Sequence, residues 1–173
     1  MSKKFIMFLL LISILLLSSC SLGDGRMMIT DDSDKRADAR MEQILKTIKN
    51  KDKDALKAMF SKQALKEANE FDGGMEYLFG FFQGNVVSWK QDRFTAETTS
   101  DYGKKSVMLV SWYTVTTDKD KYMFFVIDYD KDTINPDNAG LYTLRAIKAE
   151  DEKTQFTYWQ AMKIAGIYRP TAK

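Results

Sequence analysis

The stretch SVMLVSWYTVTTDKDKYMFFVIDYD, residues 106–130, decides the fold. Its first half alternates. Val107, Leu109, Ser111, Tyr113 and Val115 take one face, and Met108, Val110, Trp112, Thr114 and Thr116 take the other. A period of two in β-branched and aromatic residues predicts a strand. Residues 118–121 are polar and read as a hairpin loop. Residues 122–130 then carry apolar side chains on both faces, which predicts a strand covered on both sides and central in its sheet.

Working outward, residues 86–99 are rich in Val, Trp, Phe and Thr and predict a preceding strand, joined through the turn Asp101-Tyr102-Gly103. On the other side, residues 131–140 form a loop with Pro136. A strand follows over 141–149, with Tyr142, Leu144 and Ala146 opposite Thr143, Arg145 and Ile147. Residues 155–162 read as either a last strand or a helical turn, and Gly166-Ile167-Tyr168-Arg169-Pro170 closes the chain.

Upstream of the strands the period is helical. Ala37, Met41, Ile44, Leu45 and Ile48 form one apolar stripe, with Ser33 as the expected N-cap and Asn50 at the end. Asp52 and Ser61 are expected to cap two short helices, the first carrying Leu56 and Phe60, the second Ala64 and Leu65. Asp72-Gly73-Gly74 reads as a break, followed by a helix over 75–82 that Gly84 ends. Helices first and hairpin-linked strands second predict an α+β domain: N-terminal helices packed on a curved antiparallel sheet.

The N-terminus carries a different message. After Lys3 and Lys4, residues 5–17 (FIMFLLLISILLL) are continuously apolar. A membrane-spanning helix needs about 20 such residues, so this run suits a signal-peptide core. It ends in Leu17-Ser18-Ser19-Cys20, which resembles the lipobox of bacterial lipoproteins. Small residues admit the peptidase, and the thiol accepts a diacylglycerol. The resemblance implies that residues 1–19 are removed and that Cys20 becomes the acylated first residue. Residues 20–34 then form a tether, and residues 35–173 a single domain. Two acyl chains anchor stably where one does so marginally. The implied location is the extracytoplasmic face of a cell membrane.

The order of elements resembles the superfamily of nuclear transport factor 2 and ketosteroid isomerase. The residues that carry it are 52–60 (DKDALKAMF), Ser61, and the helix ending in Phe82-Gln83-Gly84. With the lipobox and the closing Ala165-Gly166-Ile167-Tyr168, the whole arrangement is similar to a group of bacterial lipoproteins known only as a domain of unknown function. The resemblance implies a cone with a pocket between helix and sheet, and no established activity. Dimers are common in that superfamily.

Composition removes several classes of function. The 173 residues contain no histidine and one cysteine, which excludes Ser-His-Asp and Cys-His catalysis, His-ligated metals, cysteine zinc sites and internal disulfides. Without Lys3 and Lys4 the chain holds 24 basic and 24 acidic residues, so no net charge draws it to nucleic acid. No cofactor is expected. The six aromatics Phe79, Phe82, Trp89, Trp112, Phe125 and Trp159 are candidates to line an apolar pocket, against the plainer reading that they fill the core. Asp128, Asp130 and Asp132 alternate like the start of a calcium loop, but the sixth position is Thr133 and the twelfth Ala139, which weakens it. For acid–base chemistry the candidate acids are Asp92, Glu97 and Asp128, and the candidate phenols Tyr113, Tyr122 and Tyr142. Lys46, Lys49, Lys51, Lys53, Lys57, Lys62 and Lys66 read as a solvated face able to rest on anionic lipid.

The expected role is binding, of a small apolar ligand or of an envelope or protein partner, without enzymatic activity. The alternatives are a ketosteroid-isomerase-like enzyme and an immunity lipoprotein that intercepts a toxic peptide. The anchor has a direct check. Cys20→Ala should move the protein from the membrane to the soluble fraction or leave it unprocessed; normal processing and retention on membranes would contradict the lipobox reading.

Overall fold

A computed structural model describes residues 31–170, without the side chain of Asp31. Leu17, Ser18, Ser19 and Cys20 lie outside the described residues, as does most of the expected tether. Four helices come first: α1 (Asp31–Asn50), α2 (Lys53–Met59), α3 (Lys62–Glu67) and α4 (Phe71–Phe81). The strands β1 (Val86–Asp101), β2 (Lys104–Thr117), β3 (Lys121–Asp132) and β4 (Gly140–Lys148) follow. Two one-turn helices, α5 (Glu152–Gln155) and α6 (Trp159–Met162), lead to the short β5 (Gly166–Ile167).

Strand order equals chain order, β1-β2-β3-β4-β5. The first three pairings are antiparallel and the last is parallel. β3 is therefore central, as its two apolar faces require. Register shifts interrupt β1 near Ser88 and Arg93, β2 at Val107/Met108 and the β3–β4 pairing at Ile127/Asp128. Such shifts bend strands and raise their twist, which curves the sheet.

The two faces bury different partners. On one face Tyr113, Val115, Tyr122, Phe124, Val126, Leu144 and Ala146 pack with Met41, Ile44, Leu56, Leu78 and Phe82 from the helices. On the other, Met108, Val110, Trp112, Phe125 and Ile127 are covered by Phe156, Trp159 and Met162. The segment over residues 152–162 is thus a strap across the face that the helices do not reach. Among the described residues no helix is long and apolar enough to cross a membrane.

Asp52 and Ser61 cap their helices as expected, accepting from the amides of Ala55 and Ala64 at 2.9 and 3.0 Å. Two expectations need correction. Ser33 is not a cap: helix α1 already includes Asp31, and Ser33 is buried in it. Ser33 stands one turn before Ala37 and extends the buried stripe, so residues 31–34 belong to the helix rather than the tether. Asp72-Gly73-Gly74 does not break the chain but lies inside α4. A Cβ on Gly74 would stand 2.6 Å from the Ile167 carbonyl oxygen, so glycine is there for close approach between α4 and β5. Of the two readings open for residues 155–162, the helical one holds, as single turns over Glu152–Gln155 and Trp159–Met162.

This contrast within one helix is testable. Gly74→Ala should cost about 1–3 kcal/mol of stability through overpacking. Gly80→Ala, whose Cβ would meet nothing within 4 Å, should be neutral or stabilise by up to about 1 kcal/mol. Equal melting temperatures for the two variants would contradict the packing argument.

Candidate functional site

The six aromatics do not converge. Phe79, Phe82 and Trp89 belong to the helix-facing core, and Trp112, Phe125 and Trp159 to the strap-facing one. The sheet itself separates them, so they line no common pocket. The cause is the alternation of the strands: Trp89 and Trp112 sit in opposite parity across the β1–β2 register, where Trp89 pairs with Val115 and Arg93 with Trp112.

An open recess lies elsewhere, at the β4–β5 edge of the sheet. It holds about 720 Å³ between the α3–α4 connection and the C-terminal segment. Tyr142, Ile164, Ile167 and Tyr168 supply apolar wall, while Glu67 and Arg169 supply charge. Tyr142 reaches this edge because the β3–β4 register jumps there, pairing Asp128 with Leu141 directly after Ile127 with Thr143. Its hydroxyl donates to Glu67 Oε2 at 2.6 Å. That bond and one from Gln63 hold the Glu67 carboxyl below its ordinary range, while partial burial and Glu67 push the Tyr142 phenol up to about 12. The Lys163 ammonium lies 5.2 Å from the Tyr142 ring and 5.4 Å from the Tyr129 ring, and donates to the Tyr129 hydroxyl at 2.8 Å. Arg169 pairs with Glu70 at 3.6 Å on the rim. A smaller recess of about 350 Å³ opens beyond Lys163, lined by Glu97, Met108, Tyr129 and Trp159.

A second polar constellation joins α1 to the sheet. Gln91 Nε2 donates to the Tyr113 hydroxyl at 3.0 Å and to Asp38 Oδ1 at 3.3 Å. Burial raises the Asp38 carboxyl pKa, with Asp34 and Glu42 adding to it and the Tyr113 hydroxyl opposing. Burial also raises the phenol of Tyr113, which is fully enclosed. Sequence reading singled out Tyr113 but missed Asp38 and Gln91. Asp38 lies directly after Ala37 of the core stripe, so its orientation depends on how α1 is rotated against the sheet, and no local pattern encodes that.

The remaining candidates are dispersed. Asp128 is buried and accepts from Arg40 Nε at 2.8 Å; burial raises its pKa and Arg40 counters it. Asp130 pairs with Arg36 at 2.9 Å. Asp132 accepts from the amides of Ile134 and Asn135 and from the side chains of Ser106 and Asn138. The three carboxylates thus serve two ion pairs and a loop, and no group of three acids able to hold a metal occurs among the described residues. Asp92 accepts from Thr114 at 2.5 Å. The Tyr122 hydroxyl accepts from the Gln83 amide at 2.9 Å and so ties β3 to the end of α4. All seven lysines of the helical face are exposed.

The molecule is thus an α+β domain whose sheet is covered by helices on one face and a strap on the other, with an open amphipathic recess at one edge. Residues 43–149 match the model of a domain of unknown function, DUF5104, and the chain belongs to that family. The match runs from the middle of α1 through β4, and the strap and the C-terminal wall of the large recess follow it. No curated protein matches the chain.

The Asp38 environment makes a signed prediction. A raised folded-state pKa means that the folded state loses stability as pH rises past the unfolded value, about 3.9. Asp38→Asn removes this loss, so its melting temperature relative to wild type should rise as pH increases through and above the ordinary carboxylate pKa. A difference that stays constant across that increase would contradict the burial argument.

Proposed function

We propose that this protein is a lipoprotein of the bacterial envelope, anchored by diacylated Cys20 at the extracytoplasmic face of the membrane. Its domain is a nuclear-transport-factor-2-like cone, and it binds a small amphipathic ligand without transforming it. One observation carries the reading: the recess of about 720 Å³ at the β4–β5 edge. Ligand sites typically hold roughly 300–1,000 Å³, with apolar walls and a few polar groups that fix orientation. Here the aromatic and aliphatic walls provide burial, and Glu67, Tyr142 and Arg169 provide orientation. The helix-facing core is packed with Leu56, Leu78, Phe82 and Phe124. The edge recess is therefore favoured over an apolar pocket between helix and sheet. An envelope protein remains the second class of partner, through the same edge.

A second reading, acid–base chemistry, is favoured by the contact of Asp38 with Tyr113 and Gln91. A carboxyl with raised pKa beside a phenol is suited to proton transfer. Two features weigh against it: Tyr113 is fully enclosed, and Gln91 already occupies both partners.

The ligand reading is tested by native mass spectrometry of the full chain extracted from membranes in neutral detergent. Wild type should carry an added mass of a few hundred daltons beyond its lipid. Ala165→Trp, which fills the recess, should lose it while keeping the wild-type melting temperature. A bare mass in every wild-type preparation, or an added mass unchanged by Ala165→Trp, would contradict the reading.

A further inference from the structure

The strap-facing side of the sheet carries a row of four side chains in direct register. Arg93 pairs with Trp112, Trp112 with Phe125, and Phe125 with Arg145 across β1, β2, β3 and β4. Two arginines thus flank two aromatic rings. The Arg93 guanidinium lies 4.9 Å from the Trp112 ring. The Arg145 guanidinium lies 3.7 Å from the Tyr168 ring and 5.8 Å from the Phe156 ring of the strap.

The row is unbalanced in one direction. Trp112 Nε1 and Arg145 Nε are buried and donate to no acceptor among the described residues. Trp112 is only 7% exposed. Arg145 makes no ion pair among the described residues, and burial pulls its pKa down. Glu152 is the carboxylate that meets the row, and it is engaged with Arg93 at 3.2 Å on the open side. A buried donor without an acceptor is destabilising, and more so when it is charged. Two such donors flanking Phe125 ask for one type of group, an oxyanion.

What stands over Phe125 instead is Phe156, with ring centroids 6.3 Å apart. Phe156 supplies an aromatic face and no acceptor. It belongs to a strap of two one-turn helices in which only Met162 is buried. The strap is tied by Arg93–Glu152, by Lys163 to Tyr129, and by Thr143 Oγ1 to the Ile164 carbonyl.

We propose that this row is a binding site for an aromatic or otherwise apolar oxyanion, a carboxylate or a phosphate, whose apolar body displaces Phe156. Its oxygens accept from Trp112 Nε1 and Arg145, and its ring takes the place of Phe156 over Phe125. Tyr168 borders both this row and the edge recess, but the proposal does not depend on the ligand proposed there. The opposite charge is disfavoured, because an ammonium offers these donors no acceptor.

The probes are naphthalene-2-carboxylate and naphthalen-2-ylmethylammonium, titrated at neutral pH by calorimetry into the full chain in neutral detergent, with empty micelles as reference. The carboxylate should bind and the ammonium should not. Arg145→Gln should weaken the carboxylate roughly ten- to a hundred-fold, the worth of a charge-assisted hydrogen bond. Trp112→Phe should weaken it less, and Phe156→Ala, which removes the competitor, should tighten it. Equal binding of both probes, binding untouched by Arg145→Gln, or no binding at millimolar carboxylate even to Phe156→Ala would overturn the proposal. The Phe156→Ala arm decides the matter even where Trp112→Phe fails to fold.

Discussion

The structure depends on the burial of β3 from both sides. Tyr122, Phe124 and Val126 face the helices; Phe125 and Ile127 face the strap, and strand alternation puts the buried Met123 on the same side of the sheet as these two. A two-layer α+β domain would satisfy only the first set. Six apolar side chains on one strand, each worth about 1.5–3 kcal/mol when buried, require a cover on each face. The helices supply one. The other is built from residues 152–162, which form only two single turns and contribute Phe156, Trp159 and Met162.

The two covers are unequal, and the candidate sites follow from that inequality. The helix layer is continuous, capped and closed by Met41, Ile44, Leu56 and Leu78, all nearly inaccessible. Its hydrogen-bond donors meet acceptors, as with Arg40 on Asp128 or Gln91 on Asp38 and Tyr113, while Asp34 and Asp128 each keep one buried carboxylate oxygen without a donor among the described residues. The strap leaves buried donors on Trp112 and Arg145 without acceptors. Beyond the strap the chain returns to pair with only two residues of β4, which opens the recess beside Tyr142 and Tyr168. Function is therefore sought on the thinly covered side and at its edge, where local opening is least costly.

Much of this was legible in the sequence. The alternation of residues 106–130 set the two faces of β2 and the central place of β3, because a strand's period is fixed by its backbone. Asp52 and Ser61 were legible as caps because the capping bond is local. What failed was non-local. Gly74 looks like part of a break until Ile167 is brought against it, and Ser33 looks like a cap although the helix starts before it and Ser33 is buried. The six aromatics look like one pocket because sequence gives their character without their side of the sheet. Asp38, Glu67 and Arg145 gain their roles only from partners many residues away, at Tyr113, Tyr142 and Tyr168.

The most direct test of the unequal covers is amide hydrogen exchange followed across the folded domain. The amides of β2 and β3 should exchange slowest, at the rate of global unfolding. Residues 152–162 should exchange orders of magnitude faster, with the sheet still protected. A single common rate for the strap and the central strands would contradict the account, because the strap would then be an integral part of the core.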